Sequence, residues 1–159
     1  MLWRLTQGGE SPASLRPDVV VVLIGTNNII LSSVESIALG IRGNVEVLRR
    51  AFPNATILVN EVFPRYDEGI PLHHLEPAVG RLNSLLHDHY VTHKTSEAIQ
   101  YLQCGHLFVP TAEQHTATAD PAVLVNTDLM PDRLHPNALG MKRWLRECVV
   151  PPALAAIVK

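Results

Sequence analysis

The stretch that decides the fold is Val19-Val20-Val21-Val22-Leu23-Ile24-Gly25-Thr26-Asn27-Asn28. Its apolar residues do not alternate with polar ones, so we expect a strand covered on both faces, as in the interior of a parallel sheet. The strand stops at Gly25, which places the next three residues on a tight loop at its carboxyl end. Open α/β sheets bind ligands at that edge. Asn27 is therefore the first candidate for chemistry, because its amide can aim an N–H donor into a crevice.

The composition limits the classes of protein to consider. The 159 residues, 47% of them hydrophobic, suffice for a substantial core, and we expect a single domain over residues 1–159. A net charge of -2 and the lack of a basic patch argue against nucleic acid as a partner. No segment approaches the roughly 18 consecutive apolar residues of a membrane span. Cys104 and Cys148 are too few for a disulfide framework, and we interpret them as buried or half-buried thiols.

Helical and strand patterns alternate along the rest of the chain. Met1 to Leu5 resembles the end of a helix, with Gly8 and Gly9 as its C-caps. Ser32, three residues before Glu35, has the spacing of a capping box. The patterns then predict a helix over 33–51, a strand over 55–63, a helix with Pro77 as its first residue, a strand over 98–104, a long connection over 105–131, and a last helix from Pro136 or Asn137 to a break at Pro151-Pro152. Strand-helix-strand succession implies parallel pairing with right-handed crossovers, so we expect an α/β fold.

A second polar cluster, Asp132-Arg133-Leu134-His135-Pro136, precedes the last helix. A carboxylate three residues ahead of an imidazole can hydrogen-bond one ring nitrogen, fix the tautomer and leave the other nitrogen as a general base. Pro136 biases His135 towards an extended conformation, which helps to hold the ring in place. A surface or helix-capping carboxylate is the simpler interpretation of Asp132. The Asn27 loop favours the interpretation of Asp132 and His135 as a catalytic pair, because acyl transfer needs an oxyanion donor as well as a general base.

Together these clusters resemble the SGNH or GDSL hydrolase family. Gly25-Thr26-Asn27-Asn28 looks like that family's Gly-x-Asn-Asp block, with Asn28 in place of the usual Asp, and Asp132 to His135 looks like its Asp-x-x-His block. The resemblance extends to the intracellular platelet-activating factor acetylhydrolase branch, through Leu2 to Leu5, the Gly-Thr-Asn-Asn loop, and Phe63-Pro64-Arg65. Asn83 also falls in a helix where the family often carries Asn.

The resemblance implies a three-layer, flavodoxin-like α/β fold and ester hydrolysis by a Ser-His-Asp triad, with neither metal nor cofactor. His135 would be the general base, Asp132 its orienter and the Asn27 side chain an oxyanion donor. The substrate would be a small ester or acetylated molecule with a short acyl chain. A homo- or heterodimer and a cytoplasmic location are implied in the same way.

The family's Gly-Asp-Ser block has no counterpart in this sequence, since it precedes the Leu-Trp-Arg-Leu stretch with which the sequence opens. We therefore expect residues 1–159 to lack the nucleophilic serine and to correspond to an N-terminally truncated family domain. Gly9-Glu10-Ser11 imitates the block, but Ser11 lies in the connector that enters the Val19 strand. A strand of that length separates its two ends by roughly 20 Å. Ser11 is for this reason not assigned as the nucleophile.

Three functional interpretations remain open at this point. The first is an ester hydrolase whose serine is supplied by more chain than is present here. The second is a non-catalytic homologue, whose apolar Val19 strand becomes an exposed edge and pairs with a partner chain by β-augmentation. The third is a flavodoxin-like phosphate or nucleotide binder, which the single glycine at Gly25 disfavours. The histidine-rich segment is interpreted as a solvated surface rather than a metal site, and comprises His73, His74, His87, His89 and His93.

Overall fold

Three parallel strands form the frame of the molecule. The computed structural model describes residues 2–6, 15–67, 69–70, 72–94, 96–110 and 124–158, so the expected glycine caps and Ser11 lie outside the described residues. The strands are β1 (Val19–Val22), β2 (Thr56–Asn60) and β3 (Ile99–Leu102). The sheet order is β1-β2-β3, and both pairings are parallel. The expected strand-helix-strand succession is confirmed.

Helices cover both faces of this sheet, as the α/β prediction requires. On one face α2 (Val34–Ala51) and α3 (Leu72–His87) pack together, and the short α1 (Leu2–Thr6) contacts α2. On the other face lie α4 (Ala138–Trp144) and α5 (Val150–Ile157). Alternate strand residues enter the two layers: Val20, Val22, Ile57, Val59 and Ile99 face α2 and α3, whereas Val19, Leu58 and Leu102 face α4 and α5.

β1 is the edge strand of the sheet that the described residues form, with β2 as its neighbour. The sequence predicts full cover on both faces, yet only Val22 of β1 is buried and Val21 is 39% exposed. The strand is thus less covered than β2, in which Ile57, Leu58 and Val59 are fully buried. An apolar strand at a sheet edge presents unpaired backbone groups to a potential partner.

The start of α2 differs by one residue from the predicted capping box. Ser33, not Ser32, is the N-cap: its backbone is extended and its Oγ accepts the Ser36 N–H at 3.3 Å. Glu35 does not reach back to the cap, because its carboxylate pairs with Arg81 of α3 at 3.0 Å. The helix itself follows the predicted apolar spacing, with Ile37, Ala38, Ile41, Val45 and Leu48 buried.

α3 begins earlier than the sequence predicts. We expect Pro77 to be the first helical residue, but the helix starts at Leu72 and Pro77 lies inside it. The proline lacks one backbone donor, and its exposed position leaves the opposite face undisturbed. Leu75, Val79, Leu82 and Leu86 are buried on that face, and their packing outweighs one lost hydrogen bond. A π-helical turn, Asp88–Thr92, follows α3 directly.

The C-terminal helices also continue past a predicted stop. Pro151-Pro152 does not end the helical region; instead a π-helical turn, Leu145–Val149, follows α4, and both prolines fall in the first turn of α5. Backbone N–H groups in a first helical turn have no partner within the helix, so prolines cost little there. No helix in the described ranges is both long enough and apolar enough to cross a membrane.

The interpretation of the two cysteines as thiols is wrong. Cys104 and Cys148 form a disulfide, with their Cα atoms 5.9 Å apart. Cys104 follows β3, and Cys148 lies in the π-helical turn after α4, so the bond joins the sheet to the C-terminal helices. The two cysteines are 44 residues apart in the sequence, and they come together only because of the way α4 packs against the sheet. The enclosed loop contains Asp132 and His135.

Candidate active site

The Asn27 loop is fixed by the glycine before it. Gly25 has φ +110°, and a Cβ built on it would lie 3.1 Å from Ile41 and 3.2 Å from Ile37 of α2. Only glycine combines that backbone conformation with so close an approach to the helix. Residues 26–28 form a 3-10 turn, and the Asn28 N–H donates to the Gly25 carbonyl at 3.0 Å. Asn27 is consequently held exposed at the carboxyl end of β1.

Asp132 and His135 lie together on the turn before α4. Asp132 Oδ2 is 2.7 Å from His135 Nδ1, while Oδ1 accepts the backbone N–H groups of His135 at 2.7 Å and Leu134 at 3.0 Å. The His135 backbone hydrogen bond, then the imidazole and the Leu134 N–H, lower the pKa of Asp132 to about 2. The carboxylate therefore stays ionised at neutral pH. It fixes one ring nitrogen of an exposed imidazole and leaves the other available.

The start of α4 holds this turn in place. Asn137 caps the helix by accepting the Gly140 N–H at 2.9 Å, and its own side chain and backbone donate to Asp128 and Leu129, both at 2.8 Å. Gly140 permits the contact, because a Cβ there would lie 2.6 Å from the Leu129 carbonyl oxygen. The residues on either side of the Asp-His pair are thus tied to each other through one capping asparagine.

A pair of consecutive residues in the segment that follows β2, Arg65 and Tyr66, connects the Asn27 loop to the Asp132–His135 turn. The Arg65 guanidinium donates to the Thr26 carbonyl and pairs with Asp67. The Tyr66 N–H donates to the Arg133 carbonyl at 3.0 Å, and the Arg133 guanidinium lies 4.8 Å from the centre of the Tyr66 ring. The two polar clusters found in the sequence are therefore joined by a shared neighbour, the dipeptide Arg65-Tyr66.

A cavity of about 310 Å³ lies beside this dipeptide, between α3 and the ends of β2 and β3. Glu61 is the half-buried carboxyl in its wall, and it accepts the Gly105 N–H. Burial raises the pKa of Glu61 above its ordinary value. Asn83, which the resemblance singles out, forms two hydrogen bonds with the Val62 backbone at 2.9 and 2.8 Å. Its position is thus explained by anchoring α3 to the end of β2.

Sequence reasoning did not assign roles to Arg65, Tyr66 or Glu61. A signal was present for Arg65: it comes directly after the strand-ending Phe63-Pro64, at the same sheet edge as Asn27. The burial of its side chain, which is 2% exposed, and its contact with the Thr26 carbonyl were not apparent from the sequence. Both depend on the lateral packing of β1 against β2.

The histidine-rich segment is varied in its surroundings. His93 Nδ1 lies 3.5 Å from the Asp88 carboxylate, and both side chains are exposed. His89 is partly buried against Tyr90, with ring centres 4.7 Å apart. Within the described ranges, no three His, Cys, Asp or Glu side chains are grouped so that they could hold a metal ion.

Comparison with known proteins places these observations in a family context. Residues 2–143 match the model of the GDSL-like Lipase/Acylhydrolase family. The platelet-activating factor acetylhydrolase IB subunit beta homolog of Drosophila melanogaster is 37% identical over 65 residues, which are 41% of this chain and 28% of that protein. The IB subunit alpha2 of Homo sapiens and that of Rattus norvegicus are each 34% identical over 82 residues, 52% of this chain and 34% of theirs. The matched segments thus span about a third of these relatives.

Proposed function

Since this chain belongs to the GDSL-like lipase/acylhydrolase family, we propose that it serves in the hydrolysis of a carboxylic ester. In this proposal His135 is the general base, Asp132 orients it and stabilises the imidazolium, and the Asn27 side chain donates to the oxyanion of the tetrahedral intermediate. The observation that carries the proposal is the Asp132–His135 pair, with 2.7 Å between carboxylate and ring nitrogen, on a turn joined to the Asn27 loop through the dipeptide Arg65-Tyr66.

The chemistry follows the general logic of serine hydrolases. The free nitrogen of His135 removes the proton from a serine hydroxyl as that oxygen attacks the ester carbonyl, and later returns it to the departing alcohol. Negative charge then collects on the carbonyl oxygen, where an amide donor at Asn27 stabilises it. Water, deprotonated by the same imidazole, then attacks the acyl-enzyme carbonyl; the acid is released and the serine regains its proton. Each step uses a group that the site holds, except for the serine.

In this proposal the nucleophilic serine lies on further polypeptide, which pairs with the edge of β1 that the described residues leave unpaired. Two features support this assignment. β1 is the edge strand of the described sheet, and Val21 on it is 39% exposed. In addition, the carboxyl end of a strand added there in parallel would lie beside the Asn27 loop. On this proposal the 159-residue polypeptide alone has little acyl-transfer activity.

For the substrate we propose an ester of a short acid such as acetate. The support is the similarity to proteins named as acetylhydrolases. Those relatives are named as subunits, which supports a dimer with a second copy or with a homologous chain.

The experiment that tests the proposal is ester hydrolysis by the protein expressed from its own gene. With p-nitrophenyl acetate as substrate, His135→Ala is expected to reduce kcat by about 10² to 10⁴-fold, and Asn27→Ala by about 10² to 10³-fold. The matched control is His93→Ala, which removes another exposed histidine facing an aspartate. Equal activity of the His135 and His93 variants would reject the assignment.

A second candidate function is a non-catalytic interaction module, which the free edge of β1 favours. In that case the β1 edge is occupied by a partner strand, and the Asp-His pair has no chemical task. The distinguishing variant is again His135→Ala. If cellular function survives this substitution while the folded state is intact, the module is the better account.

A further inference from the structure

Arg65 is the buried cation of the described core. Its side chain is 2% exposed, whereas Arg81 and Arg143, both on helix surfaces, are 64% and 41% exposed. Burying a guanidinium is costly unless its charge and donors are satisfied. Both terminal nitrogens of Arg65 have partners, whereas its buried Nε has none among the described residues. The contacts of the terminal nitrogens therefore indicate its task.

The contacts of Arg65 diverge. One terminal nitrogen donates to the Thr26 carbonyl, in the peptide bond that precedes Asn27, and the other pairs with the Asp67 carboxylate. Asp67 is itself 28% exposed, so it neutralises the cation at the rim of the fold. The two terminal nitrogens of the planar guanidinium reach these two separate acceptors in a fixed geometry, which the single nitrogen of a lysine does not reproduce.

The next residue extends this connection to the base. The Tyr66 N–H donates to the carbonyl of Arg133, a residue with a positive φ of +59°. Arg133 lies between Asp132 and His135 in the turn. One two-residue segment thus contacts both the loop that bears Asn27 and the turn that bears the Asp-His pair.

We propose that Arg65 is a positioning residue for acyl transfer, a role that rests on the function proposed above. It fixes the Thr26-Asn27 peptide relative to the Asp132–His135 turn. Arg65 touches neither the ester nor the serine in this account; it acts through the position of Asn27.

The kinetic test uses the protein expressed from its own gene. Arg65→Gln is expected to lower kcat for p-nitrophenyl acetate by about 10- to 100-fold, with little change in KM, because misplaced donors weaken the transition state more than binding. Arg65→Lys keeps the positive charge but loses the two separate terminal nitrogens of the guanidinium, and is expected to recover only part of kcat. Arg81→Gln, which removes an exposed arginine paired with Glu35, is the matched control and is expected to behave as wild type.

A second measurement is independent of activity. In the protein expressed from its own gene, ¹⁵N relaxation is expected to show lower order parameters at 25–28 and 132–135 in Arg65→Gln, with α2 unchanged and no such effect in Arg81→Gln. Should Arg65→Gln fail to fold, Arg65→Gln/Asp67→Asn removes both charges together and serves in its place. Unchanged order parameters in both loops, or an unchanged kcat, overturn the role of Arg65. An inactive wild type with the predicted loop mobility instead rejects the proposed function and leaves the positioning contact supported.

Discussion

Removal of the Cys104–Cys148 disulfide is the perturbation with the most direct effect on stability. The bond joins residues 44 apart in the sequence. In the loop-entropy model, cross-linking a loop of this length removes about 13 cal/mol/K from the unfolded chain, or about 4 kcal/mol at 25 °C. For a domain of this size, such a loss corresponds to a fall in Tm of about 8 to 16 °C.

The assay compares oxidised and reduced wild type with the double variant Cys104→Ala/Cys148→Ala, in thermal and urea unfolding. Reduced wild type and the double variant are expected to agree closely, with a further small loss in the variant because Cys104 is fully buried. The urea m-value is expected to rise without the bond, since an uncrosslinked unfolded chain exposes more surface. The double variant should not respond to reductant, which makes it the internal control.

A Tm difference below about 3 °C, which corresponds to roughly 1 kcal/mol, would show that closing the 104–148 loop does not stabilise the fold by the expected amount. Alkylation before cell lysis provides the complementary result: two modified cysteines in the unreduced protein would show that the bond is not formed in its native setting. Disulfides are typical of oxidising compartments, whereas the family resemblance implies the cytoplasm. The same alkylation therefore also reports on the environment in which the protein folds.

Three further predictions concern single residues. Gly25→Ala is expected to destabilise the fold by about 1 to 3 kcal/mol in urea unfolding, because it combines a positive φ with a Cβ 3.1 Å from Ile41; a loss below the error of the measurement would contradict this. In His135→Ala, the pKa of Asp132 measured by NMR is expected to rise from about 2 yet stay below 3.8, because the backbone donors remain; no rise at all would show that the imidazole contact is absent. Burial raises the pKa of Glu61, so ionising this carboxyl weakens the fold as pH rises above 4.5. Glu61→Gln should accordingly stabilise the protein at pH 7 and lose that advantage below pH 4.5, and a pH-independent effect would contradict the assignment.

The sequence was most informative where a local pattern determines the structure. The apolar run from Val19, the phase of α2 and the spacing of Asp132 and His135 each depend on a few neighbouring residues. The phase of α2, the Asp132–His135 contact and Asn137 at the start of α4 appear in the structure as predicted, although the catalytic roles of the residues stay predictions. The apolar run from Val19 forms the predicted strand, but at the edge of the described sheet and only partly buried rather than covered on both faces. A strand, a helix face and a three-residue turn need no information from distant parts of the chain.

Long-range packing accounts for what the sequence did not reveal. The pairing of Cys104 with Cys148 requires the register of α4 and its π-helical turn against β3, and the burial of Arg65 requires β1 and β2 side by side. Packing also explains why the helix ends predicted from the prolines were wrong. Pro77 is tolerated because the opposite face of α3 is well packed, and Pro151 because a new helical turn starts just before it.

Fluorophosphonate labelling determines whether this chain supplies the base and orienter of a serine hydrolase. The protein from its native source would be treated with the probe, which couples to an activated serine, and analysed by intact mass and peptide mapping. We expect one labelled serine, in a peptide outside residues 1–159, and loss of that label in His135→Ala. An unlabelled protein whose mass equals that of the 159 residues would contradict the hydrolase account, and a label on Ser11 would contradict the placement of the nucleophile.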